Sequence, residues 1–252
     1  MNTLPLENKK LLITGGSRGI GKACALKLAS NGCDVAIGYF NSSDEADEVV
    51  AEIEAMGRKA FSVQVNVSDR KSIAEMVEVY KSHFDSLDIF ISNAASGVLK
   101  PNLEMNVKHW RWCMETNALA LNEITKQVHS LFNAGGRVIA LSSLGASRAI
   151  PNYGFIGASK AALEALVRSL SIELAADDIT VNTISAGVID TDALKHFPNR
   201  EQILDDYHQH SLAKSPLSVE DVADTAYLLC LPAALMFRGQ TLFVDAGYSI
   251  VG

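Results

Sequence analysis

The stretch Lys10–Ser30, KLLITGGSRGIGKACALKLAS, is the part of the sequence that is most informative about the fold. Its first five residues predict a buried strand, and Ile20–Ser30 predicts a helix. Between them, Gly15 allows a tight turn, Gly19 lets the backbone approach a pyrophosphate, and Gly21 allows close packing of the helix on the sheet. The free N–H groups at the start of that helix favour an anion. The stretch therefore predicts a dinucleotide-binding unit, and the alternative is a glycine-rich turn without a ligand.

Apolar runs alternate with amphipathic stretches through the rest of the chain. Further strands are predicted at Asp34–Tyr39, Ala60–Val65, Leu87–Ser92, Val138–Leu141, Thr180–Ile184 and Thr241–Val244. Helices are predicted between them, including Asp44–Met56 and His109–Leu131. This alternation predicts a single α/β domain over residues 1–252, with a parallel sheet covered by helices on both faces. The longest stretch without a clear strand, residues 192–217, is a candidate substrate-binding lid.

The composition narrows the class of protein. A net charge of −7 offers no basic patch for nucleic acid and disfavours an anionic membrane surface. No apolar run approaches the roughly 20 residues of a membrane span. The four cysteines lack the spacing of a zinc site or a disulfide framework, so we expect buried free thiols and no bound metal. A cytoplasmic location is the expectation that follows.

The end of the second predicted strand bears on the cofactor. An NAD enzyme usually carries an acidic residue there to bind the ribose 2′-hydroxyl. Residues 37–43 contain none, and the first acid is Asp44. Arg18 could instead pair with a 2′-phosphate, although a solvated surface side chain is the alternative for this residue. NADPH is therefore favoured over NADH.

A second group of residues points to a family. Tyr153 and Lys160 follow a predicted strand that ends at Ser143, and the chain also contains Asn93–Ala95, NAA, and Asn117. Together with the glycine loop, these residues resemble the short-chain dehydrogenase/reductase family over essentially the whole chain. The resemblance implies a doubly wound (Rossmann) seven-stranded sheet, a Ser, Tyr, Lys and Asn active site, and a nicotinamide cofactor. It also implies a homo-oligomer, commonly a tetramer.

The spacing of the tyrosine and the lysine departs from the commoner family pattern. Most members carry the tyrosine four residues before the lysine, where this chain has Ile156. Tyr153 lies seven residues before Lys160. This Tyr-x6-Lys spacing and the string Ser142–Ala165 resemble the enoyl-acyl-carrier-protein reductases, and Asp190–Glu201, DTDALKHFPNRE, resembles the bacterial enoyl reductase III branch. The resemblance implies an acyl thioester substrate, with acyl carrier protein as its carrier.

The position of Tyr153, seven residues before Lys160, has a chemical explanation. Seven residues span about two helical turns, or about 10.5 Å, so Tyr153 would share a helix face with Lys160 unless the helix begins after Tyr153. An enoyl reductase must stabilise charge on the thioester oxygen, and Tyr153 would bind that oxygen. Lys160 would hold the nicotinamide ribose and lower the pKa of Tyr153. Ser143 would either orient the substrate or cap the strand end, and Asn117 would either hold a relay water or satisfy backbone groups.

The resemblance also implies cofactor contacts elsewhere. Adenine would meet Asn66 and Val67, and its ribose would lie beside Asn93 and Ala94. The nicotinamide would meet the segment from Gly187, with Ile189 fixing the carboxamide and Thr191 near the pyrophosphate. The full set of predicted cofactor residues is Gly15, Ser17, Arg18, Gly19, Ile20, Gly21, Asn66, Val67, Asn93, Ala94, Lys160, Gly187, Ile189 and Thr191.

Three functions remain open from the sequence. The first is an NADPH-dependent enoyl-thioester reductase of fatty-acid or related acyl-chain biosynthesis, which the Tyr-x6-Lys spacing favours. The second is a carbonyl reductase of the same fold, such as a 3-oxoacyl reductase, which the retained Ser143 supports. The third is a binding protein without catalysis, which the presence of both Tyr153 and Lys160 disfavours.

Overall fold

The computed structural model describes residues 4–192, 194–197 and 199–251. Seven strands form one sheet in the order β3-β2-β1-β4-β5-β6-β7, and every pair of neighbours is parallel. The strands are β1 Lys10–Thr14, β2 Asp34–Tyr39, β3 Ala60–Gln64, β4 Leu87–Ser92, β5 Phe132–Ser143, β6 Thr180–Ala186 and β7 Thr241–Val244. The helices are α1 Gly19–Ser30, α2 Ser43–Ala55, α3 Arg70–His83, α4 Val107–Met114, α5 Ala120–Val128, α6 Gly154–Glu173, α7 Arg200–His210 and α8 Val219–Cys230. The predicted doubly wound fold is confirmed.

The core lies in two layers because successive strand residues point to opposite faces of the sheet. On β1, Leu11 and Ile13 pack with α1, α2 and α8, whereas Leu12 packs with α3, α5 and α6. All three side chains are fully buried. A strand with both faces covered is apolar throughout instead of alternating, which explains why the runs in the sequence are continuous.

Two predicted elements differ from the structure. The strand predicted to begin at Val138 begins at Phe132, because the polar, glycine-containing stretch before Val138 still pairs with β4, across a register shift. The helix predicted over His109–Leu131 is not continuous. Residues Glu115–Leu119 form a π-helical turn between α4 and α5, and a short 3-10 turn ends the segment.

The strand order reverses between β1 and β4, and this crevice at the carboxyl edge is where ligands bind in doubly wound sheets. The glycine loop follows β1, Asn93 follows β4, and Ser143 ends β5, so the topology gathers the predicted site residues at one edge. All four cysteines are buried and free, as predicted. Within the described ranges, no helix has both the length and the apolar character needed to cross a bilayer.

Candidate active site

The glycine loop after β1 has the backbone shape that its sequence predicts. Gly15 and Gly19 have positive φ angles of 66° and 53°, which side chains other than glycine rarely adopt. A Cβ on Gly21 would stand 2.0 Å from the carbonyl oxygen of Gly15, so this position accepts no side chain while the loop keeps its shape. The amide of Asn93 donates to the carbonyls of Thr14, at 3.0 Å, and Gly15, at 2.8 Å. Asn93 therefore holds the loop closed from the neighbouring strand.

The start of α1 suits a diphosphate. Its first turn contains no acidic residue, and the preceding Arg18 makes no side-chain cap hydrogen bond. Ser17 is buried under the loop, whereas Arg18 is exposed and Ile20 is half-buried. The methyl group of Thr191 lies 3.9 Å from the position a Cβ on Gly19 would take, which places Thr191 beside the loop as predicted. These residues fit the pyrophosphate of a dinucleotide.

The end of β2 has no carboxylate facing the loop. The strand ends at Tyr39, and Phe40 and Asn41 are exposed beyond it. Asp44 is drawn into the first turn of α2, where its carboxylate accepts from the hydroxyl of Ser43 at 3.3 Å. Both this arrangement and the exposed Arg18 suit a 2′-phosphate better than a free 2′-hydroxyl.

The other predicted cofactor residues lie along the same edge. The carboxamide oxygen of Asn66 accepts from the backbone N–H and the hydroxyl of Ser68, so the Asn66 side chain shapes a turn. The neighbouring Val67 is buried in the core. The backbone N–H of Ala94 donates to the hydroxyl of Thr14 at 3.2 Å. Gly187 continues β6 by donating to the carbonyl of Val244, and a Cβ there would stand 2.7 Å from the hydroxyl of Tyr207. Ile189 is buried just beyond it.

The structure brings Tyr153 and Ser143 together. Their hydroxyl oxygens lie 3.2 Å apart. Tyr153 is the residue immediately before α6, which begins at Gly154, so the predicted shared helix face with Lys160 is wrong. The loop between β5 and α6 positions the Tyr153 ring instead, and a Cβ on Gly145 would stand 2.5 Å from it. Burial raises the pKa of Tyr153, and the hydrogen bond with Ser143 opposes that rise.

Lys160 is buried, and its ammonium donates to the carbonyl of Leu141 at 2.7 Å. Burial lowers the pKa of Lys160 to about 8, while the carboxylate of Glu164 acts in the opposite direction. The ammonium of Lys160 is turned toward the end of β5, and burial is the largest influence on the Tyr153 pKa, so the lowering of that pKa by Lys160 stays a prediction.

Sequence reasoning missed Ser142 and Glu164. The Ser142 hydroxyl donates to the Glu164 carboxylate at 2.6 Å. The spacing of Glu164, four residues after Lys160 on α6, is the signal that could have found it. Three consecutive residues of β5, Leu141 to Ser143, thus hold Lys160, Glu164 and Tyr153 respectively.

Asn117 lies in the π-helical turn and is buried. Its carboxamide oxygen accepts from the backbone N–H of Ser96 at 2.8 Å, and its amide donates to the Ser96 carbonyl at 2.8 Å and to the Ser159 hydroxyl at 2.9 Å. The side chain therefore joins the loop after β4 to α6. These bonds satisfy backbone groups, which is one of the two roles considered for Asn117, and the relay water stays a prediction. A π-helical turn at such a position is typical of functional sites.

Ile156 fills the position where most relatives of the resembled family carry tyrosine. Its side chain is buried, and its Cγ1 lies 2.3 Å from where a Cβ on Gly97 would stand. The thiol of Cys113 borders the same space, at 3.1 Å from that point.

The predicted lid contributes one ring to the site. The ring of Phe197 stacks on that of Tyr153, with centroids 6.2 Å apart. The described residues contain no group of His, Cys, Asp and Glu suited to a metal ion.

Comparison with known proteins agrees with this geometry. Residues 15–249 match the model of the family described as Enoyl-(Acyl carrier protein) reductase. The 1-cyclohexenylcarbonyl-CoA reductase of Streptomyces collinus is 37% identical over 242 residues, covering 95% of this chain and 86% of that protein. The 3-oxoacyl-[acyl-carrier-protein] reductase of Staphylococcus epidermidis is 34% identical over 250 residues, covering 95% and 98%.

Among solved structures, a short-chain dehydrogenase from Burkholderia cenocepacia in complex with NADP superposes with a TM-score of 0.90 at 30% identity. The match covers 97% of this chain and 99% of that one. The similarity in sequence and the similarity in structure therefore both extend over nearly the full length of this chain.

Proposed function

This chain belongs to the short-chain dehydrogenase/reductase family of oxidoreductases, and we propose that it is an NADPH-dependent enoyl-thioester reductase. In this reaction a 2-enoyl thioester accepts hydride at its β-carbon and a proton at its α-carbon. The products are the saturated thioester and NADP⁺.

The observation that carries the proposal is the displacement of the phenol. Ile156 closes the commoner tyrosine position with a buried aliphatic side chain, so no proton donor stands one helical turn before Lys160. The phenol paired with Ser143 is that of Tyr153, in the loop before α6. Charge in enoyl reduction develops on the thioester oxygen, three bonds from the carbon that receives hydride, and a displaced donor suits that oxygen.

Each side chain of the site has a separate role in the proposed reaction. Tyr153 donates a hydrogen bond to the developing enolate oxygen, and Ser143 fixes the direction of that phenol. Lys160 contributes a positive charge to the site. Its ammonium donates to the Leu141 carbonyl, and the carboxylate of Glu164 raises its pKa. Asn117 keeps the loop after β4 in place. Residues 192–217, from which Phe197 covers the Tyr153 ring, would close over the acyl chain as a lid.

NADPH, when bound at the glycine loop, supplies the hydride. Its pyrophosphate would lie against the loop and the start of α1, and Arg18 would pair with the 2′-phosphate. The nicotinamide end would lie along the segment that includes Gly187 and Ile189. The bound NADP of the Burkholderia cenocepacia relative supports this choice of cofactor.

Two names among the relatives bear on the substrate. The compound named for the Streptomyces collinus relative is a conjugated enoyl thioester of coenzyme A, which supports the proposal. The Staphylococcus epidermidis relative is named for a 3-oxoacyl substrate, and the 3.2 Å contact of Ser143 with Tyr153 suits polarisation of a ketone. Reduction of a 3-oxoacyl thioester is therefore the second candidate function.

The experiment that tests the proposal measures NADPH oxidation with chain-length-matched 2-enoyl and 3-oxoacyl thioesters, each on acyl carrier protein and on coenzyme A. We expect kcat/KM to be higher for the enoyl substrate. A higher value for the 3-oxoacyl substrate would replace enoyl reduction with carbonyl reduction.

We also propose a homo-tetramer. Val107 and Trp110 on α4, Ile172 on α6 and Phe243 on the edge strand β7 are exposed apolar side chains. Exposed apolar side chains on several elements of one subunit suit the contacts of a symmetric oligomer. Light scattering of the purified protein tests this assignment.

A further inference from the structure

A cavity of about 530 Å³ adjoins Tyr153. One wall is the loop 148–153, and the remainder comes from Asn102, Gly145 and the first turn of α6. Ser143, Lys160 and Asn117 are not among its lining residues. The cavity therefore borders the proposed proton donor and extends away from the catalytic hydroxyl pair, as a binding site for a part of the substrate that does not react.

The charge of the cavity is set by Arg148. It is the one charged side chain among the described lining residues, and it is exposed. Its guanidinium donates to the carbonyl of Tyr248 at 3.3 Å and lies 5.4 Å from the centre of the Tyr248 ring. Within the described part of the chain, no carboxylate lies within salt-bridge distance of Arg148.

Two cations of the predicted lid are paired with carboxylates. Arg200 pairs with Asp190, and Lys195 pairs with Asp192. Arg148 is held in place by the ring and the carbonyl of Tyr248, and neither of these is an ion-pair partner. A guanidinium in that condition favours a phosphate or carboxylate ligand.

Two amides line the same cavity on backbone that is firmly placed. Asn102 packs against Gly154 so closely that a Cβ there would stand 1.9 Å from the Asn102 carboxamide oxygen. Asn152 has a φ of 61°, and its carbonyl accepts from the backbone N–H of Lys100 at 3.1 Å. These contacts tie the segment after β4 to the loop before α6. Carboxamides are suited to pair with the amide groups of a ligand.

We infer that this cavity binds the phosphopantetheine arm of the acyl thioester, with Arg148 binding its phosphate. The inference rests on the proposed thioester substrate. The arm carries a thioester at one end, two amides along its length and a phosphate at the other end. The cavity offers Tyr153, the two asparagines and Arg148 to these groups, and its volume is in the range of small-molecule sites. Acyl carrier protein and coenzyme A both carry this arm.

The test is a binding titration with ligands that cannot be reduced. S-hexyl 4′-phosphopantetheine and S-hexyl pantetheine are titrated calorimetrically into NADP⁺-saturated protein, either the parent, Arg148→Ala or Lys59→Ala. The parent should bind the phosphorylated ligand about ten-fold or more tightly than the other, the effect of one charge-assisted contact. Arg148→Ala should reduce that ratio to below about two-fold.

Lys59→Ala is the matched control. It removes one exposed positive charge just before β3, at the opposite edge of the sheet, and should keep the ratio of the parent. Equal affinity of the parent for the two ligands would overturn the inference. An equal loss for both ligands in Arg148→Ala would do so as well, because it would mean that Arg148 acts only by supporting Tyr248.

Two further ligands distinguish the sources of the arm. A loss in Arg148→Ala that appears with S-hexyl coenzyme A assigns the site to coenzyme A thioesters, and a loss confined to S-hexyl acyl carrier protein assigns it to carrier-bound substrates. The titration includes no reduction step. Its outcome is therefore independent of the NADPH-oxidation assay, whose failure would count against enoyl reduction alone.

Discussion

The hydroxyls of Ser143 and Tyr153 lie 3.2 Å apart, one at the end of β5 and the other just before α6. The pair forms across the intervening loop and not along a helix. The position of the Tyr153 phenol therefore depends on the loop that connects these two elements, and this dependence separates the chain from a reductase whose tyrosine stands within the helix, one turn before its lysine.

Tyr153→Phe should lower kcat with a 2-enoyl thioester by about 100-fold or more, because it removes one donor to the transition-state oxygen. The ring and its stacking on Phe197 remain, so the affinity for NADPH should change little. Stopped-flow NADPH oxidation and a separate NADPH titration measure the two quantities. Full activity of the variant would remove Tyr153 from catalysis.

Glu164→Gln should move the alkaline limb of the pH–rate profile. Burial lowers the pKa of Lys160 to about 8, so activity that needs the protonated lysine is lost as the pH rises through about 8. Glu164 raises that pKa, and removing its charge should shift the midpoint to lower pH. Glutamine can still accept from Ser142, which separates the charge from the hydrogen bond.

The control for this variant is Glu173→Gln, at the far end of α6. It should leave the midpoint in place. A profile of Glu164→Gln that coincides with that of Glu173→Gln would show that the Glu164 charge does not reach Lys160.

Arg18→Ala should weaken NADPH binding about ten-fold more than NADH binding, since it removes a charge-assisted contact that only the 2′-phosphate can make. Lys27→Ala, on α1 and paired with Asp224, should affect both cofactors equally. Titration of each protein with both cofactors measures the difference. Parallel losses in Arg18→Ala would leave the 2′-phosphate without this partner.

Gly21→Ala should abolish tight NADPH binding and destabilise the fold by about 1–3 kcal/mol, because its Cβ would stand 2.0 Å from a backbone oxygen that cannot move without opening the loop. Gly57→Ala is the comparison, since Gly57 has a φ of 77° but open space around it. That variant should cost about 1 kcal/mol of backbone strain and leave NADPH affinity intact. Chemical denaturation and cofactor titration distinguish the two effects, and an unchanged NADPH affinity in Gly21→Ala would contradict the clash.

The features that the sequence predicts are specified by local interactions, and the features that it misses depend on contacts between distant residues. The loop from Gly15 to Gly21 is specified locally, since each glycine meets a constraint set by its immediate neighbours. The parallel sheet with helices on both faces follows from the alternation of strands and helices. The π-helical turn that contains Asn117 is different, because it depends on contacts with Ser96 and Ser159, 21 and 42 residues away.

The catalytic positions show the same division. The resemblance to the short-chain dehydrogenase/reductase family identifies Tyr153, Lys160 and Ser143 as a set. Spacing alone places Tyr153 on the helix with Lys160, and the structure places it in the loop before that helix. The side-chain contacts of Lys160 and Glu164 with β5 require the packing of α6 on the sheet, which no local pattern encodes.

The sharpest prediction combines two substitutions. Ile156→Tyr restores the commoner Tyr-x3-Lys spacing, and we expect that it does not rescue Tyr153→Phe with enoyl substrates. A phenol at 156 would start from the first turn of α6, about one helical turn nearer Lys160 than position 153. The space that Ile156 fills is closed by Gly97 and Cys113, so the larger ring must turn away from them.

The double variant should therefore keep the deficit of about 100-fold or more on the 2-enoyl thioester. Any recovery should appear with the 3-oxoacyl thioester, whose oxygen is on the carbon that receives hydride, where a donor one turn before the lysine suits it. Ile156→Phe with Tyr153→Phe is the matched control, because it adds the same ring without the hydroxyl. Recovery of enoyl reduction in the tyrosine variant but not in this control would show that the position of the phenol does not select the reaction, and the choice of enoyl over carbonyl reduction would lose its basis.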